Sequence, residues 1–174
     1  MDAPSTTASR SSVWGQYARY NRLANETLYE ACAALPDEER RRDLGAFFRS
    51  IHGTLNHLLL GDRIWMTRFE GGDHPSTGLG AILHDDFSAL RAARVVMDAR
   101  IEAFFSALPS GFAAGTISYV NNSGFASEDP LEILLPHFFN HQTHHRAQVH
   151  TLLSQLGRDP PVLDLHRVLR PNPG

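Results

Sequence analysis

The chain has 174 residues, 42% of them hydrophobic and 20% charged, a length and composition that suit one globular domain around a single core. A formal net charge of −3 and a pI near 6.3 lack the basic excess of nucleic-acid-binding domains, and no apolar run reaches the roughly 20 residues of a membrane span. Cys32 is the only cysteine, which excludes an intrachain disulfide and a cysteine-built metal site; in its helical setting it reads as buried filler.

Residues 1–12 are small and polar and lack the apolar stretch of a signal peptide, so they read as a flexible tail on a cytoplasmic protein, with 13–174 as one domain. A first helix is expected over 12–35, with Ser11 or Ser12 as N-cap and Pro36 as its stop. The charged run from Asp37 to Asp43 reads as a solvated linker, helical in part. A second helix is expected over 44–69, ending at Gly71-Gly72. Leu44, Phe47, Phe48, Ile51, Leu55, Leu58, Leu59, Trp65 and Phe69 form its main apolar stripe, and His57, Leu60, Gly61 and Ile64 lie almost opposite. Two apolar faces fit a central helix or one that also meets a partner subunit. A third helix is expected over 79–108, before Pro109. Alternation around Asn122-Ser-Gly124 suggests a short hairpin or irregular loop. The fourth helix is placed after Ser127-Glu-Asp-Pro130, read as a capping sequence with proline in the first turn, and ends at Gly157. The proline-broken tail from Asp159 is expected to fold back over the rest. Four long helices with short links pack most simply as an all-α four-helix bundle.

Five of the ten histidines fall in the stretch His137-Phe-Phe-Asn-His141-Gln-Thr-His144-His145-Arg146-Ala-Gln148-Val-His150. His137, His141 and His145 recur every four residues, which stacks them on one helix face about 6 Å apart. Two imidazoles so placed can grip one metal ion. On the helical wheel His145 falls inside the core stripe, His141 on its edge and His137 further round; His144 and His150 fall outside. Gln142 and Gln148 reach the interior edge as supporting partners. A tight site needs a third protein ligand. The second helix offers His52 and His57; the wheel leans towards His52 and leaves the choice open. A buried imidazole network without metal is the plain alternative. His-Glu-x-x-His, Glu-x-x-His, glycine-rich phosphate loops and Gly-x-Ser-x-Gly are all absent. Asp62 and Arg63 read as a structural ion pair. Arg146 reads as facing outward or capping a carboxylate. Tyr119, Asn121 and Asn122 lie in a connection that is placed to cover a site.

Several stretches together resemble the DinB family, within the DinB/YfiT-like superfamily. They are Tyr20-Asn-Arg-Leu-Ala-Asn-Glu-Thr-Leu28, Ser50-Ile-His-Gly-Thr-Leu-Asn-His57 running into Asp62-Arg-Ile-Trp65, Asn140-His-Gln-Thr-His-His-Arg-Ala-Gln148, and Pro160-Pro-Val-Leu-Asp-Leu165. Ala147 stands where the family usually has glycine, a small departure in a closely packed place. The resemblance implies an up-down-down-up bundle, commonly a homodimer, with a three-histidine divalent metal site. Carried over by motif position, the ligands are His57, His141 and His145, against the wheel's lean to His52. His52, His137 and Gln148 then become supporting residues. Imidazole suits both zinc and nickel. Relatives implied by the resemblance include transferases and isomerases that use low-molecular-weight thiols, and metal-dependent hydrolases. The function expected is therefore that of a metal-dependent enzyme whose ion activates a low-molecular-weight thiol or water towards a small-molecule substrate. The alternative is a non-enzymatic, stress-induced dimer that holds its metal structurally. In that case His52 or His137 would close the coordination sphere.

Overall fold

Helices start where a side chain can satisfy a free amide of the first turn. In the computed structural model, which describes residues 12–73 and 78–172, α1 (Val13–Ala33) is capped by Ser12, whose Oγ accepts from Gly15 N at 3.1 Å. The expected tail lies outside the described residues apart from Ser12. The charged run forms a short helix, α2 (Asp37–Arg41). α3 (Ile51–Phe69) is capped by Ser50, accepting from Gly53 N at 3.0 Å, and α4 (Phe87–Ser106) by Asp86, accepting from Ala89 N at 2.8 Å. A 3₁₀ turn, Phe112–Ala114, leads into β1 (Thr116–Val120) and β2 (Ala126–Pro130), an antiparallel pair with Tyr119 opposite Ser127. α5 (Leu131–Gln155) follows without a break, and the tail carries α6 (Leu165–Leu169).

Three boundaries differ from the sequence reading. The second long helix begins at Ile51 rather than 44. Gly45 at φ 77° and Arg49 at φ 68° adopt the left-handed conformation, which no continuous α-helix contains, and Arg49 N closes a turn on Ala46 O at 2.7 Å. The third begins at Phe87 rather than 79, because the segment before it is pinned to α3. Buried Asn56 accepts from His84 N at 2.9 Å and donates to His84 O at 3.2 Å. Ser127-Glu-Asp-Pro130 is not a capping sequence; it is β2, and Pro130 at the N-cap of α5 makes no side-chain cap. Asp129 instead accepts from the Tyr119 hydroxyl at 2.8 Å.

The chain is mostly helical, with this one small ribbon. α1 packs on α4 and α5, and α3 packs on the same two helices. Leu55, Leu58 and Leu59 on one side of α3, and Leu60 and Ile64 on the other, are all buried within the chain itself. Each such side chain contributes about 1.5–3 kcal/mol relative to exposure. The tail lies back on α1, where the Tyr20 hydroxyl donates to Leu163 O at 2.7 Å. Among the described residues no helix is long and apolar enough to cross a membrane.

Between the helices lies a buried polar network. Arg94 reaches Asp62 at 2.5 Å and Asp98 at 3.0 Å, and Asn25 donates to Asp98 at 2.9 Å. Gln142 donates to Asp62, and Arg146 donates to Asn21 and Asn25. Arg146 thus points into the core, contrary to the outward reading, and Asp62 pairs with Arg94 rather than Arg63. Burial raises the Asp98 carboxyl to about 6 despite Arg94 beside it. Removing Arg94 strands two buried carboxylates, so Arg94→Met is expected to lower the unfolding free energy by about 3–5 kcal/mol in urea denaturation. Arg94→Lys restores only part of that, because one ammonium does not reproduce the planar fork.

Candidate metal centre

The every-four spacing on α5 puts His141 and His145 on one face, and α3 brings His57 opposite them. His141 Nε2 lies 3.2 Å from His57 Nε2 and 3.1 Å from His145 Nε2. The approach depends on Gly61. A Cβ there would sit 2.8 Å from His141 Cε1, so any larger residue holds the ring off α3. Phe48 stacks on His57 at 3.8 Å between ring centroids and covers the cluster from the turn before α3.

The outer nitrogens of two rings are tied. His57 Nδ1 lies 2.8 Å from Leu79 O, which can only accept, so the proton sits on Nδ1 and Nε2 keeps its lone pair. His145 Nδ1 lies 2.7 Å from Gln148 Oε1, with the same consequence. His141 Nε2 therefore faces two acceptors and has at most one proton to offer. One contact is left with lone pair against lone pair, which a cation between the rings relieves. A tetrahedral ion with metal–nitrogen bonds of about 2.0–2.1 Å sets its ligands ~3.3 Å apart, close to the two spacings from His141. These three side chains could together hold a metal ion.

The electrostatics agree with neutral rings. Burial, then the neighbouring His145 and His57, pushes His141 down to about 3. Burial takes His145 to about 4 against the opposing effect of Gln148, and burial lowers His57. Neutral imidazole is the ligating form, so no proton stands in the way of an ion at neutral pH.

His52 and His137 stand apart from the cluster. His52 is buried, but its Nε2 lies 3.0 Å from His84 O, on the loop before α4. His137 packs against Trp65, with its centroid 6.1 Å from that of His141. Gln148 supports His145 as described, whereas Gln142 serves the core network through Asp62. Tyr119, Asn121 and Asn122 line a cleft of about 590 Å³ that also admits His57, His141 and His145. Two residues escaped the sequence reading. Gly61 had a signal, since mid-helix glycine costs about 1 kcal/mol against alanine and demands a reason. Arg68, in the cleft wall, had none.

A sequence model of the DinB family matches residues 5–173. The chain is also 24% identical over 147 residues to Protein DinB of Bacillus subtilis (strain 168), covering 79% of this chain and 83% of that protein.

A histidine whose folded pKa lies below its unfolded value of about 6.5 stabilises the fold above that pH. That contribution is lost as pH falls towards the folded values of about 4 for His145 and about 3 for His141. Chelator-treated protein is therefore expected to lose melting temperature steadily from pH 6.5 to pH 4.5. A His141→Gln variant is expected to lose less over the same window; an equal decline would show that the cluster does not titrate this way.

Proposed function

The chain belongs to the DinB family, and we propose that it is a divalent-metal-dependent enzyme acting on a small molecule, with His57, His141 and His145 as ligands to zinc or nickel. The observation that carries this reading is the cluster of three histidine nitrogens, all within 4.8 Å of one another, at the wall of an open cleft. A divalent ion there supplies the charge that brings the pKa of a thiol or water towards neutrality. The chain's own residues do the rest. Leu79 O and Gln148 fix the tautomers and aim of His57 and His145. Phe48 limits water on one side of His57, and Trp65 and Tyr119 offer apolar faces to an incoming molecule. A low-molecular-weight thiol, in a transferase or isomerase, or water, in a hydrolase, fits the open side. A structural metal in a non-enzymatic dimer calls for a fourth protein ligand, and the positions of His52 and His137 speak against that reading. The same proposal takes the four long helices as an up-down-down-up bundle and the protein as a cytoplasmic homodimer.

Elemental mass spectrometry of natively purified, untagged protein is expected to give about one zinc or nickel per chain, and His57→Ala and His145→Ala to lose most of it. Full metal content in both variants would remove the ligand assignment. Gly61→Ala is expected to weaken metal affinity by about 10–100-fold in a chelator competition, because it displaces the ring of His141. Addition of a small thiol to cobalt-loaded protein distinguishes the two chemistries: a thiolate-to-metal charge-transfer band supports the thiol branch, and its absence leaves the water branch.

A further inference from the structure

The cleft beside the imidazole cluster is walled by aromatic rings, asparagines and histidines, and Arg68 is the only lysine, arginine, aspartate or glutamate among its described lining residues. Arg68 is 9% exposed. Its guanidinium carbon lies 4.8 Å from the ring centroid of Trp65 and 4.3 Å from that of Tyr119. Only Nη2 is bonded, donating to Val120 O at 3.1 Å and to Asn122 Oδ1 at 3.4 Å. Among the described residues, Nε and Nη1 have no hydrogen-bond partner and no carboxylate pairs with the group. Arg94, more deeply buried at 2% exposure, has two aspartates.

A guanidinium presents five N–H donors in a plane, a fork that matches a carboxylate in bidentate fashion. A purely structural arginine at this burial ordinarily brings its counter-ion with it, because a desolvated, unpaired cation is costly. Here the two ring faces stabilise the cation, while most of its donors are left unused. Position on α3 sets the scale. Gly61, which touches His141, and Arg68 are seven residues apart, nearly two turns, so they share a face about 10 Å apart along the axis.

We infer that the molecule handled in this cleft carries a carboxylate, that Arg68 binds it, and that an apolar or aromatic middle spans the distance to the imidazole cluster along Trp65. The inference rests on the proposal that the cleft is the reaction site. The carboxylate belongs either to the substrate or to a thiol co-substrate; the recognition chemistry is shared. Arg68 is a binding residue in this scheme. Tying the β1–β2 ribbon to α3 through Val120 O is a structural role that it holds in any case.

The test uses 4-phenylbutyrate and its neutral amide as probes, followed by tryptophan fluorescence at pH 7.5, with the full chain both chelator-treated and metal-loaded. In metal-free wild type the acid is expected to bind about tenfold tighter than the amide, the scale of one charge-assisted bidentate contact. Arg68→Gln is expected to bind acid and amide alike, with amide affinity within about twofold of wild type. A merely structural role would lower both together. No acid preference in metal-free wild type, or a preference that survives in Arg68→Gln, overturns the inference. If Arg68→Gln does not fold, Arg68→Lys replaces it, with the preference expected to fall by about threefold or more and an unchanged preference counting against Arg68. Failure of the metal proposal is read separately. A chain that takes up no metal but keeps an Arg68-dependent acid preference loses the metalloenzyme reading and retains the carboxylate site. In the metal-loaded arm, a thiol bearing no carboxylate that binds without regard to Arg68, while the acid still needs Arg68, assigns the carboxylate to the substrate.

Discussion

The interior charges govern the arrangement of this protein. Arg94 and Arg146 face Asp62 and Asp98 in the middle of the helices, with Asn21, Asn25 and Gln142 hydrogen-bonded into the same network. Each of the four long helices contributes at least one member. An apolar interface tolerates a slide or a rotation with modest repacking. A buried ion pair does not, because one displaced partner leaves a bare charge at a cost of several kcal/mol. Net stability gained from such pairs is small, but their directionality selects one register among many apolar ones. α1 shows the accommodation: its inner face carries Ala18, Asn21, Ala24 and Asn25 rather than a row of leucines, which leaves room for the long arms of Arg94 and Arg146.

That network also sets the candidate metal centre, through chain adjacency. Asp62 follows Gly61, and Gln142 follows His141. The hydrogen bond from Gln142 to Asp62 faces the core, so their neighbours meet on the cleft side, where the His141 ring lies against the bare backbone of Gly61. One turn before Gly61 stands His57, and one turn after His141 stands His145. A single crossing point of α3 and α5 therefore places three imidazoles, and polar contacts on the far side of the same two helices hold that point. The site is built on rigid elements, with Leu79 O and Gln148 correcting ring orientation, which is the arrangement that a defined ligand geometry demands.

What the sequence revealed and what it hid follow from the same physics. Apolar periodicity located the long helices, because burial imposes it. It misplaced the start of the second, because Leu44, Phe47 and Phe48 continue the helical phase while Gly45 and Arg49 turn the backbone left-handed. Arg49 carries no mark of that conformation in its side chain. The wheel could not separate His52 from His57, since both are buried; the difference is which neighbour each meets, the loop before α4 or α5. Family resemblance selected His57, and Gly61 one turn on is the local physical reason that ring can meet His141. Arg146 read as facing outward or capping a carboxylate, and Arg68 drew no reading, because an arginine on a helix is usually a surface charge. Only their partners on other elements, asparagines for Arg146 and two aromatic rings for Arg68, make their burial intelligible.

The distribution of charge then divides the molecule in two. Within the core, two arginines oppose two aspartates and the balance is local. Around the cleft, no acidic side chain among the described residues offsets Arg68, and the imidazoles are neutral because burial has made them poor bases. A divalent ion on those rings would keep its full charge, since imidazole donates electron pairs without cancelling charge. Neutralisation of the cleft would then have to come from whatever occupies it. With such an ion in place, positive charge would stand at both ends of the cleft, at the imidazole cluster and at Arg68. An anionic occupant is the one kind of molecule that such a field draws in, orients and holds.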